Sequence, residues 1–109
     1  TPAGDDVLAG ALVTLASAGD EPRRAVLAGA VLDRSDRTTG VSAALLRQAC
    51  LGRAVPEVVA VLRALAGSGC LDAALARLAL VGHTSGAALA LGMRAALRAR
   101  AGHALGRVA

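Results

Sequence analysis

A chain of 109 residues is long enough for one domain with one core, and its 55% hydrophobic share lies above the ordinary globular level although Phe, Tyr and Trp are absent. The formal charge is +4, with every basic residue an arginine; these stand singly or in pairs with no interleaved aromatics, which argues against a nucleic-acid surface. The longest charge-free stretches, residues 7–19 and 78–93, are too short or too broken for the ~20 apolar residues of a membrane span, and an opening of Thr1-Pro2 ahead of two aspartates is no signal peptide, so a cytoplasmic location is expected.

Punctuation and periodicity predict an all-α fold, a compact bundle of about six helices with short Gly/Pro-marked connections. The first helix is expected from about Asp5 to Ala18, apolar nearly all round and therefore central, with Gly19 closing it. The second opens at Asp20-Glu21-Pro22, buries Val26, Leu27, Ala30 and Val31, and ends near Asp33 ahead of a charged surface loop. Thr38 or Thr39 can cap the third, whose inward residues are Val41, Leu45, Leu46 and Ala49 and whose stop is Gly52. Pro56 and Glu57 start the fourth, which buries Val58, Val59, Leu62 and Leu65 before Gly67. Ser68 can cap the fifth, lined by Leu71, Leu75 and Leu78. The sixth begins near Thr84–Gly86 and runs to about Arg100, with Leu89, Met93 and Leu97 repeating every four residues. Cys50 and Cys70 match no zinc or CxxC spacing and read as reduced, buried small hydrophobes.

The first and sixth helices echo each other, since Gly4 aligns with Gly86 and Gly10 with Gly92. A mid-helix glycine costs roughly 1 kcal/mol against alanine, so Gly10 and Gly92 are expected where two helices cross closely. If those helices run roughly parallel, their N-termini come together.

Two helix starts carry the candidate chemistry. Gly82-His83-Thr84-Ser85-Gly86 combines glycines, hydroxyls and the positive end of a helix dipole, which suits an anion. The bland alternative is a simple Ser/Thr cap, with His83 merely satisfied at a helix start. Thr1-Pro2-Ala3-Gly4-Asp5-Asp6 carries adjacent carboxylates that repel phosphate and suit an amide N–H or a cation; the alternative is capping and dipole stabilisation. A Mg²⁺ site is the weaker choice with one acidic pair, so no metal and no cofactor are expected. Ser42, at the start of the third helix, can complete a cradle or cap its own helix, and Arg47 can meet an anion or be solvated. No nucleophile elbow, P-loop, dinucleotide fingerprint or HExxH is present.

The run Thr1-Pro2-Ala3-Gly4-Asp5-Asp6-Val7-Leu8-Ala9-Gly10 resembles the LTPSGDD-x-L-x-G signature of the bacterial family that includes the AllH-type subunit of oxamate carbamoyltransferase, from anaerobic allantoin degradation. Gly82-His83-Thr84-Ser85-Gly86 resembles that family's G-H-[ST]-S-G signature, and Thr39-Gly40-Val41-Ser42-Ala43-Ala44-Leu45-Leu46 resembles the segment between them. The resemblance implies carbamoyl transfer between carbamoyl phosphate and oxamate, partner subunits, and a chain that is the C-terminal part of a longer protein, with residues 1–109 as its helical domain. It implies a ligand site of Thr1, Gly4, Asp5, Asp6, Ser42, His83, Thr84, Ser85 and Gly86. The chain departs from the second signature at Ala88, where the family pattern often has Asp. The competing expectation is a non-catalytic helical assembly or regulatory module whose glycines serve packing alone.

Overall fold

Glycine decides where three of the helices stop. The computed structural model describes the backbone of residues 3–34, 38 and 40–108, with side chains for these except 34 and 103–108. Among them are six helices and no strand: α1 Ala3–Ser17, α2 Glu21–Arg34, α3 Gly40–Cys50, α4 Pro56–Leu65, α5 Leu71–Ala79 and α6 Ser85–Val108. Gly19, Gly52 and Gly67 adopt positive φ after α1, α3 and α4. At α1 the Gly19 N–H donates to the Ala16 carbonyl and the Asp20 N–H to the Leu15 carbonyl, a Schellman closure that satisfies otherwise orphaned carbonyls. The same pair of bonds recurs at Gly52-Arg53 and at Gly67-Ser68.

Asp20 then starts α2. Its carboxylate accepts from the Arg23 backbone N–H at 3.4 Å and from the Arg23 guanidinium at 2.7 Å, so one residue both follows the stop of α1 and caps α2.

Helix α1 is central, packing against α2, α3, α4 and most extensively α6. Its Ala9, Leu12 and Val13 join Val31, Leu46, Ala49, Val58, Val61, Leu78, Leu89 and Met93 in one aliphatic core. With no aromatic anchor, this core depends on close approach of backbones. The shortest molecular dimension, 18 Å, corresponds to two layers of helices each ~10 Å across.

Several local expectations change. In α2 the buried stripe passes through Ala28 and Val31, while Val26 is 77% exposed and Ala30 faces outward, so the stripe is rotated from the sequence reading. Val41 lies on the outer side of α3 at 73% exposure, whereas Ser42, Ala43 and Leu46 turn inward. Leu71 and Leu75 remain partly exposed because α5 packs mainly against α4 and α6. Cys70, not Ser68, is the N-cap of α5, and it makes no side-chain capping bond. Gly67 and Gly69 both take positive φ, which keeps Ser68 in the turn. Cys70 is exposed and Cys50 half-buried, and both are free thiols. Helix α6 continues past Arg100 to Val108, since Gly102 keeps an ordinary helical φ and does not stop it. Thr39 and residues 35–37, where the sequence places a charged surface loop, lie outside the described residues.

Candidate functional site

The crossing of α1 and α6 sets the geometry of the site. A Cβ at Gly10 would overlap the Leu89 carbonyl, and a Cβ at Gly92 would overlap the Val7 carbonyl. The two contacts are reciprocal, each glycine lying against the carbonyl three residues before the other. The expected packing of the two glycines is therefore present. At the far end of α1, the Arg100 guanidinium stands 3.3 Å from the Asp20 carboxylate. Asp20 follows the end of α1 and Arg100 lies late in α6, so the two helices run parallel and start at the same end of the bundle.

Helix α3 joins them. Ala16, near the end of α1, would be 3.2 Å from a Cβ on Gly52 just past α3. Thr38, two residues ahead of α3, donates its hydroxyl proton to Asp5 Oδ2 in the first turn of α1. Ends meet ends and starts meet starts, so α1, α3 and α6 all begin together.

At that shared end the two aspartates of α1 are 1% exposed, and Ser42 in the first turn of α3 is fully buried. Removing a carboxylate from water is costly without donors. The helix dipole and the Thr38 hydroxyl each offset part of that cost. Gly4 is exposed with nothing within 4 Å of the place a Cβ would take. Thr1 lies outside the described residues.

The start of α6 is built differently. Gly82 takes φ +60, and His83 and Thr84 follow it in an exposed turn. The Thr84 carbonyl accepts from the Ala88 N–H at 3.1 Å, and Ser85 is half-buried. The Gly86 N–H already donates to the Val81 carbonyl at 2.9 Å. A Cβ on Gly86 would overlap the Leu78 carbonyl at the end of α5, so packing accounts for this glycine. Neither α3 nor α6 has an acidic residue in its first turn. An anion is thus better received at those starts than at that of α1. Arg47 is exposed in the last turn of α3, away from the shared end.

The opposite end carries an ion-pair network. Burial pushes the Asp20 carboxyl up, but the hydrogen bonds from Arg23 and the charges of Arg23 and Arg100 together outweigh it and hold the pKa below its usual value. The Arg24 guanidinium donates to Glu21 at 2.7 Å and to the Cys50 carbonyl at 2.8 Å, tying the start of α2 to the end of α3. The hydrogen bond from Arg24 holds the Glu21 carboxyl below its ordinary range. Burial pushes the Cys50 thiol up, against the pull of the Arg24 charge.

Thr38 reads from sequence as a helix cap, and its partnership with Asp5 has no local signal, because the two residues lie 33 positions apart. Among the described residues no group of three or more His, Cys, Asp or Glu side chains is placed to hold a metal ion. None of the helices, over the described residues, is long and apolar enough to cross a membrane. A groove of about 370 Å³ between α4, α5 and α6, lined by Leu65, Leu71, Leu75, Met93 and Leu97, contains none of the motif residues.

Comparison with protein families gives a match over residues 1–97 to the family described as oxamate carbamoyltransferase subunit AllH. Comparison with curated proteins and with solved structures returns no match.

Proposed function

From the premise that this chain belongs to the oxamate carbamoyltransferase subunit AllH family, we propose that the shared start of α1, α3 and α6 binds a small anionic amide during carbamoyl transfer. The observation that supports this most is the pairing of unlike helix starts by the parallel α1–α6 crossing. Buried acceptors lie on α1, and the hydroxyls of Thr84 and Ser85 stand at the start of α6, which has no acidic residue in its own first turn. Carbamoyl phosphate and oxamate each combine an anionic group with an amide. Asp5 or Asp6 accepts from the amide N–H, and Thr84, Ser85 and the positive end of α6 receive the anion.

In the reaction the oxamate nitrogen attacks the carbamoyl carbon, a C–N bond forms, the carbamoyl C–O bond to phosphate breaks, and the nitrogen gives up a proton. The products are oxalurate and phosphate. The chain's part is to orient the reactants and to stabilise developing charge, with no covalent intermediate on the protein. Neither motif contains a thiol or a recognisable activated nucleophile. Further groups come from partner subunits, in a protein whose cellular location we take to be the cytoplasm.

A second reading, a helical assembly module without a catalytic part, is favoured by one observation. Packing fully accounts for Gly10, Gly86 and Gly92. It does not account for Gly4, which faces open space beside Asp5. The two readings separate in an assay of oxalurate phosphorolysis by the intact protein with its partner subunits. Asp5→Asn, Asp6→Asn and Ser85→Ala are expected to lower kcat/KM, by about tenfold or more for an aspartate, because a hydrogen bond to a charged group contributes about 1.5–3 kcal/mol. Folded variants that all keep wild-type rates and affinities would assign these residues to capping alone.

A further inference from the structure

Thr38 belongs to neither family-like motif, yet it reaches Asp5 from outside α1. Its hydroxyl donates to Asp5 Oδ2 across a separation of 33 residues, from the connection between α2 and α3. Asp5 is 1% exposed and sits in the first turn of α1. A threonine hydroxyl has one proton, and here that proton is given to the carboxylate. The bond constrains the Asp5 carboxylate from outside its own helix.

We propose that Thr38 is a positioning residue for Asp5, holding its carboxylate to accept from the amide N–H of the substrate. This rests on the assignment of Asp5 to the ligand site in the preceding subsection. Thr38 acts through Asp5, so its effect depends on that carboxylate. A serine in its place keeps the donor, and a valine keeps the shape but not the donor.

The test is steady-state oxalurate phosphorolysis by the intact protein with its partner subunits, using wild type, Thr38→Val, Thr38→Ser, Asp5→Asn and the Thr38→Val/Asp5→Asn double variant. Thr38→Val is expected to raise KM for oxalurate about tenfold, the loss of one charge-assisted hydrogen bond. Thr38→Ser should stay within about twofold of wild type, because the donor is retained. In the Asp5→Asn background, Thr38→Val should add less than about twofold, since coupled residues are not additive. If the valine variant does not fold, Thr38→Ala takes its place in the same cycle. Wild-type kinetics for Thr38→Val beside an impaired Asp5→Asn would overturn the proposal, as would effects that simply multiply in the double variant. If Asp5→Asn itself is as active as wild type, the site assignment falls first and the positioning role falls with it.

Discussion

Replacing Gly10 with alanine should destabilise the protein, although the same change on an open helix face stabilises it. Gly10 is buried in the middle of α1 with no positive φ, so intrinsic propensity alone favours alanine by roughly 1 kcal/mol. The added methyl, however, would overlap the Leu89 carbonyl and approach the Leu89 Cα to 3.2 Å. This neighbour is backbone within a continuous helix, so no side chain can swing aside. Helices α1 and α6 must separate or slide, and overpacking of this kind costs typically about 1–3 kcal/mol. The loss extends along the crossing, since Gly92 against Val7 depends on the same spacing. Less the propensity gain of roughly 1 kcal/mol, the net destabilisation is up to about 2 kcal/mol, a fall in melting temperature of up to roughly 16 °C for a domain of this size. Gly29 is the control. It lies in α2, exposed, with ordinary helical φ and nothing within 4 Å of the place a methyl would take, so Gly29→Ala should stabilise by roughly 0.5–1 kcal/mol. Urea denaturation of both variants followed by circular dichroism reads the two signs. Gly10→Ala as stable as Gly29→Ala would refute the close crossing.

The remaining predictions concern the other end of the bundle, α5 and the thiols. Gly86→Ala should also destabilise, by about 1–3 kcal/mol, because its methyl would overlap the Leu78 carbonyl and push α5 from α6; unchanged urea midpoints would contradict this. Asp20 has a folded pKa below its unfolded value near 3.8, so it contributes stability above that value, and the contribution is lost as pH falls through the folded pKa. The stability gap between wild type and Asp20→Asn should therefore be present at pH 7 and shrink below about pH 4, read from melting curves across pH; a gap that widens on acidification would show the sign to be wrong. Cys70 is exposed while the half-buried Cys50 thiol is pushed up, so Cys70 should react first with an aromatic disulfide reagent at about pH 8, and equal native-state rates would contradict the burial of Cys50.

The helices are legible in the sequence because their boundaries are chemically marked. Gly19, Gly52 and Gly67 stop α1, α3 and α4 where left-handed backbone is needed, and Pro56 opens α4. The glycine echo also carries real information, since the cost of mid-helix glycine demands a close crossing at Gly10 and Gly92. The facing of each helix is less legible. In α2 and α3 small apolar residues occur on several sides, so periodicity does not separate outward Val26 and Val41 from inward Ala28 and Ala43. The Ser68 cap fails because two positive-φ glycines move the start of α5 to Leu71. At the site, the motif residues can be named from the chain, but their meeting depends on the direction of α6 and α3 relative to α1. That direction is set by contacts such as Arg100 with Asp20 and Thr38 with Asp5, which no local pattern announces.

The most direct measurement is a structure of the intact protein with its partner subunits bound to oxalurate or carbamoyl phosphate. The ligand's amide nitrogen is expected within hydrogen-bond distance of an Asp5 or Asp6 carboxylate oxygen, and its anionic group at the Thr84–Ser85 start of α6. A ligand bound elsewhere, with the starts of α1 and α6 making no contact to it, would contradict the site.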